Sequence, residues 1–319
     1  MTQNHRWAVI GAGRFALEQM APAIHMARGA DLVAIGTSDP AKATPFQAFA
    51  GDLFVGSYEE VFNRSDIDAV YIATPNSTHT PLAIQALEAG KAVLCEKPVS
   101  MTVSELDELI AARDRTGLPA AEAYMVLHHP QWHRAKALVQ EGALGEVLFV
   151  ESVFSFGLPL DSGNIRLDSQ VGGGALRDIG VYPMGVARYV MGAELEDVQA
   201  KGTLHNGIDL ATTISATLGT AAFSAHLDMR LSEYQHITFH GRDGALRLTA
   251  PFNAGVHAEA ILTLSRGATE VVERFPTVNH YVLQVEAFGA YLKGAPCPVP
   301  LEFSRGTQTV IDDIIAGFT

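Results

Sequence analysis

Trp7-Ala8-Val9-Ile10-Gly11-Ala12-Gly13-Arg14-Phe15-Ala16 follows a short polar lead and decides how the first part of the chain folds. Four apolar residues form a short buried strand, and the glycines that follow break it. The pattern G-x-G-x-x-A has a physical reason at each position. Gly11 permits a tight turn, Gly13 lets backbone approach a pyrophosphate, and the small Ala16 lets the following helix pack closely on the strand. The helix start offers free N–H groups and roughly +0.5 of dipole charge to an anion. Alone the pattern is weak. Between a strand and a helix it predicts a dinucleotide-binding turn, with Gly11, Gly13, Arg14 and Phe15 as candidate cofactor contacts.

Outward from this stretch, strands and helices alternate. Residues 32–36 read as a second strand, ending in Thr37-Ser38-Asp39. A carboxylate at such a strand tip would bind the ribose 2′-hydroxyl of NAD; here hydroxyls stand in its place. Thr37, Ser38, Arg14 and Lys42 could accommodate a 2′-phosphate, so the reading favours NADP over NAD. Asp39-Pro40 reads instead as a helix cap with proline at the first helical position. Further strands are expected at 53–55, 69–73, 92–95 and 120–123. Helices are expected at 57–63, where Ser57 is a cap candidate, and at 80–89 with Gly90 as stop. A third begins at Thr102-x-x-Glu105, a capping-box pattern, and runs to about 116. Strands separated by helices imply parallel βαβ units in a doubly wound sheet.

Val93-Leu94-Cys95-Glu96-Lys97-Pro98-Val99 places two charges at the carboxyl end of one of these strands, the rim where open parallel sheets bind ligands. Proline biases Lys97 toward extended backbone, which would aim its side chain into the rim. Cys95 reads as a small core residue.

From residue 147 the pattern changes to β-rich stretches at 147–156, 210–218, 221–229, 236–240, 245–248 and 261–264, with turn signals such as Arg242-Asp243-Gly244 between them. They suggest an α+β domain with a large open, mostly antiparallel sheet, joined by helices at 175–191, 279–293 and 308–318. The expected organisation is α/β: a dinucleotide-binding domain over 1–124 and a substrate and oligomerisation domain over 125–319, whose last helices return to the first. Gly172-Gly173-Gly174 leads into a helix carrying Asp178 and Tyr182 at i, i+4. A tyrosine becomes a usable acid–base group near neutral pH when a cation lowers its pKa, and Lys97 is the candidate donor of that field.

Composition sets the class. Of 319 residues 48% are hydrophobic and 18% charged, which suits a globular enzyme of two domains. A net charge of −13 without a Lys/Arg cluster argues against nucleic acid and anionic membranes as partners. Two cysteines offer no disulfide framework, and no apolar run suggests a signal segment or a span, so a cytoplasmic location is expected.

Taken together the motifs resemble the Gfo/Idh/MocA family of NAD(P)-dependent oxidoreductases: Gly11 to Ala16, Ala73-Thr74-Pro75-Asn76 with His79, Ala89-Gly90-Lys91, Cys95 to Pro98, and Gly172 to Asp178 with Tyr182. The resemblance implies a Rossmann domain and a C-terminal open-sheet domain, often paired as dimers or tetramers through that sheet. It also raises a cis Lys97–Pro98 bond, which the sequence leaves open. Many sugar and inositol dehydrogenases of the family have histidine where this chain has Tyr182. That departure resembles the dihydrodiol and NADP-type xylose dehydrogenases and makes a histidine mechanism doubtful. By resemblance, Thr74, Pro75, Asn76, His79, Glu96 and Lys97 join the cofactor contacts. Lys97, Tyr182 and Asp178 become the catalytic set for hydride transfer with a sugar-like hydroxyl, polyol or diol, and Tyr124, His128, Asn164 and Arg166 are second-tier substrate contacts.

His128-His129-Pro130-Gln131-Trp132-His133 puts two histidines at i, i+4, but Pro130 suits a helix start and leaves His129 outside it, so no metal is expected. Two other readings stay open: a nucleotide- and sugar-sensing regulator without turnover, and a reductase of small aldehydes or ketones.

Overall fold

The computed structural model describes residues 4–297 and 299–318. They form two compact units: the residues up to His128 together with His280–Arg305, and His129–Asn279 together with the residues from Gly306 onward.

In the first unit, β1 (His5–Ile10) is followed by a wide π-helical turn (Ala16–Met20) running into α1 (Ala21–Met26). Then come β2 (Ala30–Gly36), a 3-10 stretch (Pro40–Ala48), β3 (Phe54–Gly56), α2 (Tyr58–Phe62), β4 (Ala69–Ile72), α3 (His79–Glu88), β5 (Ala92–Glu96), α4 (Val103–Thr116) and β6 (Ala120–Ala123). The strands lie in the order β3-β2-β1-β4-β5-β6, and every pairing is parallel. Parallel strands covered on both faces need apolar side chains on both, and Trp7–Ile10 and Ala69–Ile72 are fully buried. Ala8, Ile10, Val70, Ile72 and Val93 pack with Ala83, Leu87, Leu106 and Leu109 of α3 and α4. Trp7, on the opposite pleat, meets Phe288 at 5.4 Å between ring centroids.

The predicted caps hold with one refinement. Ser57 and Glu60 close a full capping box on α2. Thr102 accepts the Glu105 N–H at 3.2 Å, but Glu105 Oε2 reaches one residue further back, to the Met101 N–H at 2.8 Å. Asp39 caps the Pro40 turn by accepting the Ala41 N–H at 3.1 Å. Gly117, at φ 68°, ends α4 in the left-handed region.

The second unit begins with α5 (Pro130–Gln140), β7 (Val147–Ser155), a π-helical turn (Leu176–Gly180) and α6 (Val181–Met191). Then follow β8 (Leu195–His205), β9 (Ile208–Leu218), β10 (Ala221–Asp228), β11 (Tyr234–Gly241), β12 (Ala245–Leu248), β13 (Ala260–Arg266) and β14 (Thr269–Phe275). These form one sheet in the order β14-β13-β12-β11-β7-β10-β9-β8. Alternation along the strands puts Val150, Phe154, Phe223, Leu227, Ile237 and Phe239 in the core.

The sheet is mostly antiparallel, as expected, with one parallel pair, β7 with β10, at its centre. Strands β8 and β14 were absent from the sequence reading: both are edge strands with mostly exposed residues, so neither shows an apolar period. The chain closes with α7 (His280–Leu292) and α8 (Leu301–Gly317), the latter starting seven residues before the expected 308.

Candidate active site

In the glycine turn, Gly11 sits at φ +99°, and a Cβ there would lie 2.7 Å from the Ala73 carbonyl oxygen. The fold itself therefore requires this glycine. Gly13 is different. It is exposed, and a Cβ would meet nothing nearer than the same oxygen at 3.9 Å, so packing within the protein does not explain a glycine there. A backbone left bare at a helix start fits a phosphate approaching from outside, and Ala16, fully buried, closes the helix onto the strand. The turn thus fits a dinucleotide. Phe15 is 40% exposed, with its ring edge-on to Tyr281 at 5.7 Å. Arg14 is exposed and donates to Glu18 at 2.7 Å, a surface pair of little energetic weight.

At the tip of β2, Thr37 is buried and its hydroxyl is engaged within the turn, accepting the Asp39 N–H at 3.1 Å and lying 3.2 Å from the Asp39 carbonyl. Thr37 shapes the tip. With the Asp39 carboxylate engaged as a cap, the groups left exposed here are Ser38 and Lys42, together with Arg14 on the glycine turn. Hydroxyl and cations suit a 2′-phosphate better than a ribose hydroxyl.

At the rim, Ala73 continues β4 by donating to the Ile10 carbonyl at 2.8 Å. Thr74, Pro75 and Asn76 then lead into a tight turn (Asn76–Thr78), in which Thr78 donates toward Thr74 Oγ1 and the Pro75 carbonyl, each at 2.7 Å. His79, expected among the cofactor contacts, is buried, with Nδ1 2.8 Å from the Pro98 carbonyl and Nε2 2.8 Å from the Thr74 carbonyl. Its ring bridges the β4 tip and the Glu96–Pro98 segment from beneath. Burial lowers its pKa, outweighing the two carbonyls that favour a proton.

The Lys97–Pro98 bond is cis. Around it, Thr80 donates to the Val99 carbonyl at 3.0 Å, and the Val99 N–H donates to Glu122 Oε1 at 3.0 Å. Ser304 donates to Glu122 Oε2 at 2.6 Å. Lys91 is a structural residue, donating to the carbonyls of Arg64 and Ile67. Glu96 is held by both oxygens: Tyr71 donates to Oε1, and the Lys97 N–H donates to Oε2 at 3.2 Å. Burial pushes this carboxyl up to about 7, against the opposing pull of Tyr71 and Lys97. Tyr71 escaped the sequence reading; the available signal was one phenol in a strand of otherwise aliphatic residues. Tyr124 is buried against Phe303, and His128 is half-buried at the end of a tight turn (Met125–His128). His129 caps α5, its Nδ1 accepting the Gln131 N–H at 3.2 Å, and His133 pairs with the Tyr189 hydroxyl at 3.0 Å, so the two have separate duties.

In the second unit, the loop before the glycines folds onto itself. Asn164 Oδ1 accepts the Arg166 N–H at 3.0 Å and so acts as a cap. Gly173 and Gly174 donate to the carbonyls of Asp168 and Arg166, each at 2.9 Å. A Cβ on Gly173 would lie 2.5 Å from the Arg166 oxygen, and one on Gly174, at φ +114°, 2.4 Å from Asp209 Oδ1. The buried Asp209 accepts the Leu176 N–H at 2.9 Å and the Thr212 hydroxyl at 2.6 Å, and burial pushes it up to about 6. It too was missed, although one acid among apolar strand residues (Ile208-Asp209-Leu210) was a visible signal.

Asp178 lies in the π-helical turn and Tyr182 in the first turn of α6, so the pair straddles a change of helical pitch. The ion partner of Asp178 is Arg166, whose Nε donates at 2.6 Å. Asp178 holds that guanidinium firmly charged, and the guanidinium also lies over the Phe156 ring at 5.9 Å. Tyr182 is 5% exposed, with its ring 5.7 Å from Phe154 and 5.8 Å from Phe252. An apolar wall thus carries one phenol beside an ion pair. Such a group can act as a proton donor or acceptor.

Comparison with known proteins agrees with this geometry. Residues 5–124 match the model of an oxidoreductase family with an NAD-binding Rossmann fold, and residues 132–247 match a Gfo/Idh/MocA C-terminal domain. An uncharacterized oxidoreductase of Rhizobium meliloti is 37% identical over 97% of this chain and 95% of its own. A D-xylose 1-dehydrogenase (NADP⁺) of Haloferax volcanii is 31% identical over 97% of this chain and 95% of its own. The crystal structure of KijD10, a 3-ketoreductase from Actinomadura kijaniata in complex with NADP and TDP-benzene, superposes with a TM-score of 0.92 at 27% identity, covering 99% of this chain and 98% of that one.

Proposed function

This chain belongs to the Gfo/Idh/MocA oxidoreductase family, and we propose that it transfers a hydride between NADP and a hydroxyl or carbonyl carbon of a sugar or related polyol. The observation that carries this reading is Lys97 at the carboxyl end of β5, on the rim of a sheet whose first turn leaves Gly13 bare for a phosphate. NADP is favoured by Ser38, Lys42 and Arg14 at the exposed tip, and by the NADP in the KijD10 structure and the NADP⁺ of the Haloferax enzyme. The sugar class is supported by the D-xylose on which the Haloferax enzyme acts.

The nicotinamide supplies the hydride acceptor or donor at C4. In the oxidising direction the substrate loses a hydride from carbon and a proton from oxygen, and Tyr182 takes that proton; in reduction it returns it. Lys97 holds the substrate oxygen, and its charge stabilises the phenolate. Arg166 holds Asp178, which orients the phenol or the substrate hydroxyl. Structures of KijD10 with a lysine replaced by alanine and a tyrosine by phenylalanine accord with these roles. A homodimer or homotetramer in the cytoplasm completes the proposal; no helix among the described residues is long and apolar enough to cross a membrane.

The test is a fluorescence titration with NADP⁺ and NAD⁺, followed by absorbance at 340 nm with pentoses, hexoses, keto sugars and vicinal diols. Binding of NADP and turnover of one sugar support the reading. Replacing Arg14 and Lys42 by alanine should weaken NADP and leave NAD unchanged. Tight binding without turnover in either direction would point to a sensor instead.

A further inference from the structure

We propose that Tyr71 and Glu96 form a positioning pair for Lys97: the tyrosine hydroxyl holds one oxygen of the Glu96 carboxylate, and the other oxygen holds the Lys97 backbone N–H, setting the direction in which the lysine leaves the strand. The inference rests on the reading of Lys97 as a catalytic residue.

Tyr71 is fully buried in β4, pairs in register with Leu94 of β5, and reaches Glu96 two residues further along that strand. Packing alone would be served by phenylalanine. A buried phenol hydroxyl costs stability unless it is bonded, and its bond goes to Glu96. An ionised carboxylate accepts at both oxygens, whereas a protonated one turns one of them into a donor. Protonating Glu96 therefore disturbs one of its two holds. The groups facing it are Tyr71 on β4, Cys95 and Lys97 on its own strand, and Glu122 on β6; Tyr281 of α7 acts on Tyr71, and His79 lies within the field of Lys97. Burial and the charge of Glu122 favour the acid form, and the bonds from Tyr71 and the Lys97 N–H favour the carboxylate. Removing the Tyr71 hydroxyl must then move Glu96 toward protonation at higher pH.

The experiment compares the full-length wild type, Tyr71→Phe and Glu96→Gln. The chain has six lysines, so ¹⁵N-lysine labelling gives a spectrum simple enough to assign Lys97 by substitution. In the wild type its amide signal should move with pH through a midpoint near 7. In Tyr71→Phe the midpoint should rise by roughly one pH unit, and in Glu96→Gln the step should vanish. The acid limb of kcat/KM should follow the same three patterns. An amide signal that ignores pH, a midpoint unmoved in Tyr71→Phe, or a step that survives Glu96→Gln would overturn the proposal. A wild type that shows the titration but turns over no sugar would defeat the proposed function and leave the Tyr71–Glu96 hold on Lys97 standing.

Discussion

Replacing Tyr182 by phenylalanine separates chemistry from packing. The ring lies 5.7 Å from Phe154 and 5.8 Å from Phe252, and those two rings stack at 4.8 Å. Phenylalanine keeps all three rings in place, so the loss to stability is at most that of one hydrogen bond, about 1 kcal/mol, or roughly 2 °C in a chain of this size. The loss to catalysis is that of a positioned acid–base group, about 10²–10⁴-fold, equivalent to about 3–5 kcal/mol of barrier. Alanine would behave differently: deleting a buried aromatic ring costs about 3–5 kcal/mol of stability, so its activity could not be read apart from its folding. The assay is kcat by nicotinamide absorbance, with melting curves and NADPH titration on the same preparations. Tyr182→Phe should bind NADPH as the wild type does, melt within a few degrees of it, and turn over at a small fraction of its rate. A variant with more than about a third of wild-type kcat would refute the assignment, because no acid–base group is worth so little.

The glycine turn gives a paired prediction. Gly13→Ala should leave the melting temperature unchanged or slightly higher, since its Cβ points into open space, yet weaken NADPH binding at least ~10-fold by occupying the phosphate's approach. Gly11→Ala, forced into φ +99° against the Ala73 oxygen, should destabilise the whole first unit, as melting curves would show. Asp209 makes a prediction about pH. Its folded pKa is raised from 3.8 to about 6, so its contribution to stability is full below pH 4 and is lost as pH rises through 6. Asp209→Asn removes that dependence, so its stability relative to the wild type should climb by about 3 kcal/mol between pH 4 and pH 7 in denaturant titrations; a flat difference would exclude a buried, titrating carboxyl here.

How much of this was legible in the sequence depends on what each residue faces. The parallel sheet could be read because strands covered on both faces must be apolar throughout, as 7–10 and 69–72 are. Turn chemistry could be read for a similar local reason, and Ser57, Thr102, Asp39 and Pro130 all act at the helix starts expected of them. Edge strands β8 and β14 could not, since their exposed residues carry no core-facing period, and the parallel pairing of β7 with β10 depends on a crossover that no local pattern records. At the candidate site, sequence identified residue types and left their duties open. Thr37, His79 and Asn164 stood out as polar groups near ligand motifs, yet their atoms are engaged with backbone. Arg166 and Asp178, considered separately from sequence, form one ion pair. Tyr71 and Asp209 went unseen because their partners, Glu96 and the Gly174–Leu176 backbone, lie 25 residues and more away along the chain.

The most direct test of the central claim is to follow the hydride itself. The protein would be incubated with NADPH carrying deuterium at C4 and a panel of keto and aldehydo sugars, and the products read by mass spectrometry and deuterium NMR. Hydride transfer predicts one deuterium bound to the new carbinol carbon per NADPH consumed, on one face of the nicotinamide only. Products without deuterium, or label retained on the nucleotide across the whole panel, would contradict it.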